Sequence, residues 1–151
     1  MDNTFDPGTA NGDRCIQMYT DPDRGLIEGN VFDRCNDVAV HFSGRSGAAT
    51  NDVTVSGNVI AHTREEYNVD TYTGQTTASA FSGNVVRDNC AITTLDLNDN
   101  VDRSGIQAGM PGATLLGNVA ADPQLDEQSR IKAGTPCAAK FTGPSENTYA
   151  P

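Results

Sequence analysis

The stretch Asp52-Val-Thr-Val-Ser-Gly-Asn-Val-Ile60 reads as a short strand, a two-residue corner at Gly57-Asn58, and a second short strand. Glycine suits a corner that needs dihedrals closed to most other residues. The same pattern recurs in Gly25-Leu-Ile-Glu-Gly-Asn-Val-Phe32, Ser79-Ala-Phe-Ser-Gly-Asn-Val-Val86 and Ala113-Thr-Leu-Leu-Gly-Asn-Val-Ala120. The corner asparagines Asn30, Asn58, Asn84 and Asn118 are spaced 28, 26 and 34 residues apart, a range in which self-similarity indicates a stacked repeat. A degenerate copy, Asp2-Asn3-Thr4-Phe5-Asp6, places Asn3 27 residues before Asn30, so the chain is expected to begin in the middle of a repeat.

Between corners the chain runs through a second strand such as Val31-Phe32, a polar turn such as Asp33-Arg-Cys-Asn-Asp37, and a third strand, Val38-Ala-Val-His-Phe42. Alternation along that third strand puts Val38, Val40 and Phe42 inward, and Ala39 and His41 outward. The expectation is an all-β chain of about five coils with three short strands each, stacked in parallel. Asn3, Asn30, Asn58, Asn84 and Asn118 would then form a ladder at one inward corner, satisfying backbone groups otherwise stranded at the bend.

The 151 residues amount to a single domain, 1–151, with residues 121–151 as a closing segment. Twenty acidic against ten basic residues give a net charge of −10, which excludes a nucleic-acid partner because phosphate binding needs clustered Lys and Arg. No apolar run approaches a membrane span, and the first residues lack the basic and apolar regions of a signal peptide. Four cysteines allow three pairings. Stacking of neighbouring repeats would bring Cys15 to Cys35 and Cys90 to Cys137; four buried thiols are the alternative. A Cys-based metal site is excluded by the absence of any Cys-x-x-Cys pair.

These Gly-Asn-Val corners resemble the repeats of the right-handed parallel β-helix family, the pectate-lyase-like superfamily. The tail Ala121-Asp-Pro-Gln-Leu125 followed by Arg130-Ile-Lys-Ala-Gly-Thr-Pro-Cys137 is similar to the segment that closes the bacterial members. The resemblance implies a lyase, hydrolase or epimerase acting on acidic polysaccharide, with its site on an outward face of stacked strands. The acidic composition with only two lysines, Lys132 and Lys140, is compatible with an extracellular or cell-surface protein.

On that face Tyr19, His41 and Tyr72 would form a column, with Arg45 and Asp70 at its margin, able to stack on sugar rings and hydrogen-bond hydroxyls. His41 and Arg45 are the candidate catalytic groups, His41 as general base. The second histidine, His62, reads as part of a solvated turn with Arg64, Glu65 and Glu66. Arg130-Ile131-Lys132 matches a polygalacturonase element only superficially, and the Gly-His-Gly histidine of those enzymes is absent. Asp96, Asn98, Asn100 and Asp102 offer oxygen ligands at alternate positions, the pattern of a calcium loop, although Val101 stands where such loops carry glycine. Three readings follow: a carbohydrate-associated module without a complete active site, a polyuronate lyase or C5-epimerase, and a structural module that forms a homo-oligomer through its open N-terminal coil.

Overall fold

The computed structural model describes residues 4–5, 14–18, 24–35, 38–44, 49–63, 65–70, 80–91, 110, 112–139 and 149–150. In chain order the strands are β1 (Thr4–Phe5), β2 (Arg14–Met18), β3 (Leu26–Glu28), β4 (Val31–Asp33), β5 (Val38–Ser43), β6 (Thr54–Ser56) and β7 (Val59–Ala61). They continue as β8 (Glu65–Asp70), β9 (Val85–Arg87), β10 (Cys90–Ala91), β11 (Thr114–Leu116), β12 (Val119–Ala120), β13 (Ile131–Lys132) and β14 (Tyr149–Ala150). Among the described residues there is no α-helix.

Three parallel sheets take the order β1-β4-β7-β10-β12, β2-β5-β8 and β3-β6-β9-β11, and β13 pairs with β14. From β1 to β10 the chain visits the three sheets in rotation, each strand pairing with a counterpart one round away. Parallel pairing forces this arrangement, because a strand cannot reach a parallel neighbour through a tight hairpin.

Left-handed backbone marks the corners between sheets. Arg24, Asp52 and Gly83 have positive φ two residues before β3, β6 and β9; Gly29, Gly57, Asp88 and Gly117 follow β3, β6, β9 and β11; Arg34 and His62 follow β4 and β7. Corner backbones bond from one round to the next, as in Gly29 N–H to Ser56 O at 3.2 Å and Gly57 N–H to Arg87 O at 3.2 Å. Inside, Phe32, Val40, Phe42, Val55, Ile60, Val86 and Ala91 form one apolar core. Phe32 and Ile60 are register partners and fully buried, each burial contributing about 1.5–3 kcal/mol.

The asparagine ladder exists, with one member changed. Asn30 and Asn58 donate through main-chain N–H and side-chain Nδ2 to the Oδ1 of Asn58 and Asn89 respectively, at 2.9 to 3.1 Å. Asn89 donates in the same two ways to Asn118 Oδ1, both at 3.1 Å. The other Nδ2 proton of Asn58, Asn89 and Asn118 goes to a carbonyl of the preceding round, Ile27, Val55 and Val86 respectively. The expected rung at Asn84 is therefore wrong. Val85 pairs with Thr54, so Gly83-Asn84 sits at the corner before the β9 sheet, opposite Asp52-Val53. There Asn84 accepts from Val53 N–H at 3.1 Å and donates to Thr50 O at 2.7 Å. With Asn89 in place the ladder separations become 28, 31 and 29 residues, more even than the tripeptides suggest. Asn3 lies outside the described residues.

Both disulfide pairings are as stacking predicts: Cys15–Cys35 and Cys90–Cys137, with Cα atoms 5.6 and 5.2 Å apart. The second fastens residues 121–139 to the outer face of the five-stranded sheet, where Ile131 and Cys137 pack with Val31, Val59 and Cys90. These contacts run sideways along a sheet face as a strap, where the sequence suggests a segment across the end of the stack.

Strand β5 also departs from its alternation pattern. All six of its residues are buried, including Ala39 and His41, which were expected to face solvent. A strand covered on both faces is ordinary in a parallel sheet, and alternation alone does not reveal the second cover.

Candidate functional site

The carboxylate of Asp33, at the end of β4, has no exposure to solvent. Alternation along β4 sends Phe32 into the core and Val31 to the outer face beneath the strap. A buried carboxylate is costly without partners, and this one has three. Ser129 Oγ donates to Oδ2 at 2.7 Å, His62 Nδ1 lies 2.6 Å from Oδ1, and Arg34 Nη1 lies 3.2 Å from Oδ2.

Each partner is delivered by a specific piece of backbone. Asp33 pairs with Ala61 across β4 and β7, so Arg34 and His62 occupy equivalent corner positions on adjacent strands, both at positive φ. Ser129 arrives from 96 residues away on the strap. It sits in a turn organised by Asp126, whose Oδ1 accepts from Gln128 and Arg130 N–H at 2.9 Å while its Oδ2 accepts from Arg130 Nε at 2.7 Å. The hydrogen bond from the Arg130 side chain is the main force holding the Asp126 carboxyl below the usual carboxylate range. Arg130 is thus a structural clamp on the strap turn.

An ionised carboxylate accepts only, so the short contact assigns the Nδ1 proton to His62 and leaves the Nε2 lone pair on the other side of the ring. The His62 side chain is 48 % exposed. The arrangement is a histidine with its tautomer fixed by a buried acid, able to accept a proton at Nε2 and to be stabilised as imidazolium. Thr63, next in the chain, buries a hydroxyl that has no hydrogen-bond partner among the described residues. The solvated turn expected at His62 is half right: the ring reaches solvent, but its anchor is a carboxylate buried beneath the strap, and Glu65 and Glu66 belong to β8.

The column proposed on the three-stranded sheet is not the one the register makes. His41 stands between Gln17 and Asn68, and Asp70 lies opposite Ser43, two residues further along the strands. His41 is fully buried, so it cannot meet a polysaccharide on an open face. Tyr19, Arg45 and Tyr72 lie outside the described residues, as do Asp96, Asn98, Asn100 and Asp102. Among the described residues no group of three metal-ligating side chains comes together.

No family model, curated protein or solved structure matches this chain.

Proposed function

We propose that this chain is a carbohydrate-associated module built as a right-handed parallel β-helix, and that it works outside the cell on acidic polysaccharide. The observation carrying the fold reading is the rotation of the chain through three parallel sheets with a continuous asparagine ladder at one corner. Scaffolds of this kind present long, regular faces whose strand spacing of about 4.8 Å suits extended polymers. Two disulfides favour an oxidising compartment. A lyase or epimerase centred on His41 draws no support from a buried imidazole.

Retardation of the full chain in gels containing polygalacturonate, alginate or a sulfated glycan, with a neutral glucan as control and with calcium or chelator added, tests the reading. Slowing by at least one acidic polymer is expected. Equal mobility in all of them overturns it.

A second reading, assembly with another copy, is favoured by one observation. Among the described residues strands β1, β2 and β3 are edges of their three sheets, and Leu26 on β3 is 65 % exposed. Light scattering that shows a monomer at millimolar concentration removes it.

A further inference from the structure

We propose that His62 and Asp33 form a general-base pair that hydrolyses acyl esters carried on sugar hydroxyls. The base stands on the geometry alone; the choice of a sugar as the alcohol rests on the carbohydrate reading above.

The case begins with Asp33. Its Oδ2 is occupied by the Ser129 hydroxyl at 2.7 Å and by Arg34 at 3.2 Å, so the carboxylate is fixed in orientation before it meets histidine. Its Oδ1 then has the imidazole at 2.6 Å. Full burial of the acid keeps water from competing for that contact, while the His62 side chain, bonded through Nδ1, remains half exposed, so we assign the approach of substrate to its Nε2 edge. A histidine serving only to neutralise a buried acid needs no such opening.

The rest of the site decides which reaction the pair can serve. Glycoside hydrolysis needs a second carboxyl group across the scissile bond, and no other carboxylate bonds into this cluster among the described residues. Ser129 is spent on Asp33 and does not face His62 as a nucleophile. Water is left as the attacking group. Nε2 takes one proton from water as its oxygen bonds to the acyl carbon, and the carbonyl π electrons move onto oxygen as a tetrahedral anion. That anion collapses, the acyl carbon–alkoxy oxygen bond breaks, and the imidazolium returns the proton to the departing sugar oxygen. The products are a carboxylic acid and a free hydroxyl, with no redox change and no other co-reactant. Asp33 stays ionised and stabilises the imidazolium between the two transfers. Arg34, at the equivalent corner of the adjacent strand, stays on Asp33 Oδ2 and holds the carboxylate in place through both transfers.

The test uses the full, oxidised chain with p-nitrophenyl acetate and with an O-acetylated polysaccharide, following nitrophenol and acetate release. Catalysis exceeding that of an equal concentration of free imidazole is expected. His62→Gly relaxes the left-handed corner while removing the base, and should lower the rate roughly 100-fold. Added imidazole should restore part of that loss, which a purely structural role for His62 would not allow. Asp33→Asn should lower the rate on a similar scale, and a melting curve shows whether it remains folded. Diethylpyrocarbonate should modify His62 and spare the buried His41. A wild-type rate no greater than free imidazole, or full activity in His62→Gly, overturns the proposal. Cleavage of p-nitrophenyl acetate without retention by any polysaccharide sinks the carbohydrate reading and leaves the base standing; retention without ester cleavage does the reverse.

Discussion

Asn89 Nδ2 lies 3.1 Å from Asn118 Oδ1 and 3.0 Å from Val55 O, bonds that the tripeptide pattern assigns to Asn84. One fully buried side chain thus joins three consecutive rounds of the chain. Buried polar groups left without partners cost about 1–3 kcal/mol each, so such a ladder contributes most when all of its members are present.

Asn58→Ala strands the Asn30 main-chain N–H and the Ile27 carbonyl, and should cost about 2–5 kcal/mol. Urea unfolding measures it. In double-mutant cycles Asn58 should couple to Asn89, its direct partner, and add independently with Asn84. Equal coupling to both would mean the ladder runs elsewhere.

Gly83→Ala should destabilise by roughly 1–3 kcal/mol, clearly more than Gly134→Ala. Both glycines have positive φ, but a Cβ at Gly83 overlaps the Asp52 carboxylate while one at Gly134 meets nothing within 4 Å. Thermal melts of the two variants compare them directly. Matching melts would mean that the Asp52 side chain swings aside and admits the methyl group without cost.

Cys137→Ser releases the strap from β10. Cross-links closing loops of this length, 47 residues here, are worth up to about 4 kcal/mol. Limited proteolysis should show new cuts within residues 121–139 while fragments containing β4 to β7 persist. Loss of the whole chain at the same rate would show that the strap and the sheets unfold together.

Acid should loosen the strap turn before it unfolds the core. The Asp126 carboxyl is held below its ordinary value chiefly by the Arg130 side chain, so its ionised form stabilises the folded state above the unfolded carboxylate range, about pH 4. That contribution disappears as pH falls through the lowered value. In Asp126→Asn the acid limb of a stability profile should be flatter, and it should coincide with wild type only at low pH. An unchanged limb would assign acid sensitivity to other carboxylates.

Much of the scaffold was legible because stacking repeats each local requirement once per round. The corners at Gly29-Asn30, Gly57-Asn58 and Gly117-Asn118 declare themselves by a residue tolerant of positive φ followed by an amide. Asp88-Asn89 meets the same demand with aspartate, which also tolerates the left-handed region, and its next residue is Cys90 because that outward position holds the disulfide. Gly83-Asn84 satisfies the same chemistry at a different corner, and so misleads.

The candidate site was less legible. Alternation identifies the face of β5 that His41 occupies but carries no information about what covers that face. Asp33 and His62 are one repeat and one step apart, a separation of 29 that the ladder period would have flagged once Arg34 and His62 were aligned as corners. Ser129 carries no such signal, since its partner is 96 residues away and outside the repeat.

That long-range contact changes how the molecule should come apart. Strands that bond only to the next round form a linear array, in which either end can fray while the middle survives. The strap touches Val31, Val59 and Cys90, one residue from each of three successive rounds, and locks onto Asp33 from the far end of the chain. It therefore couples rounds that share no direct bond, turning a series of pairwise equilibria into one cooperative transition for as long as it stays docked.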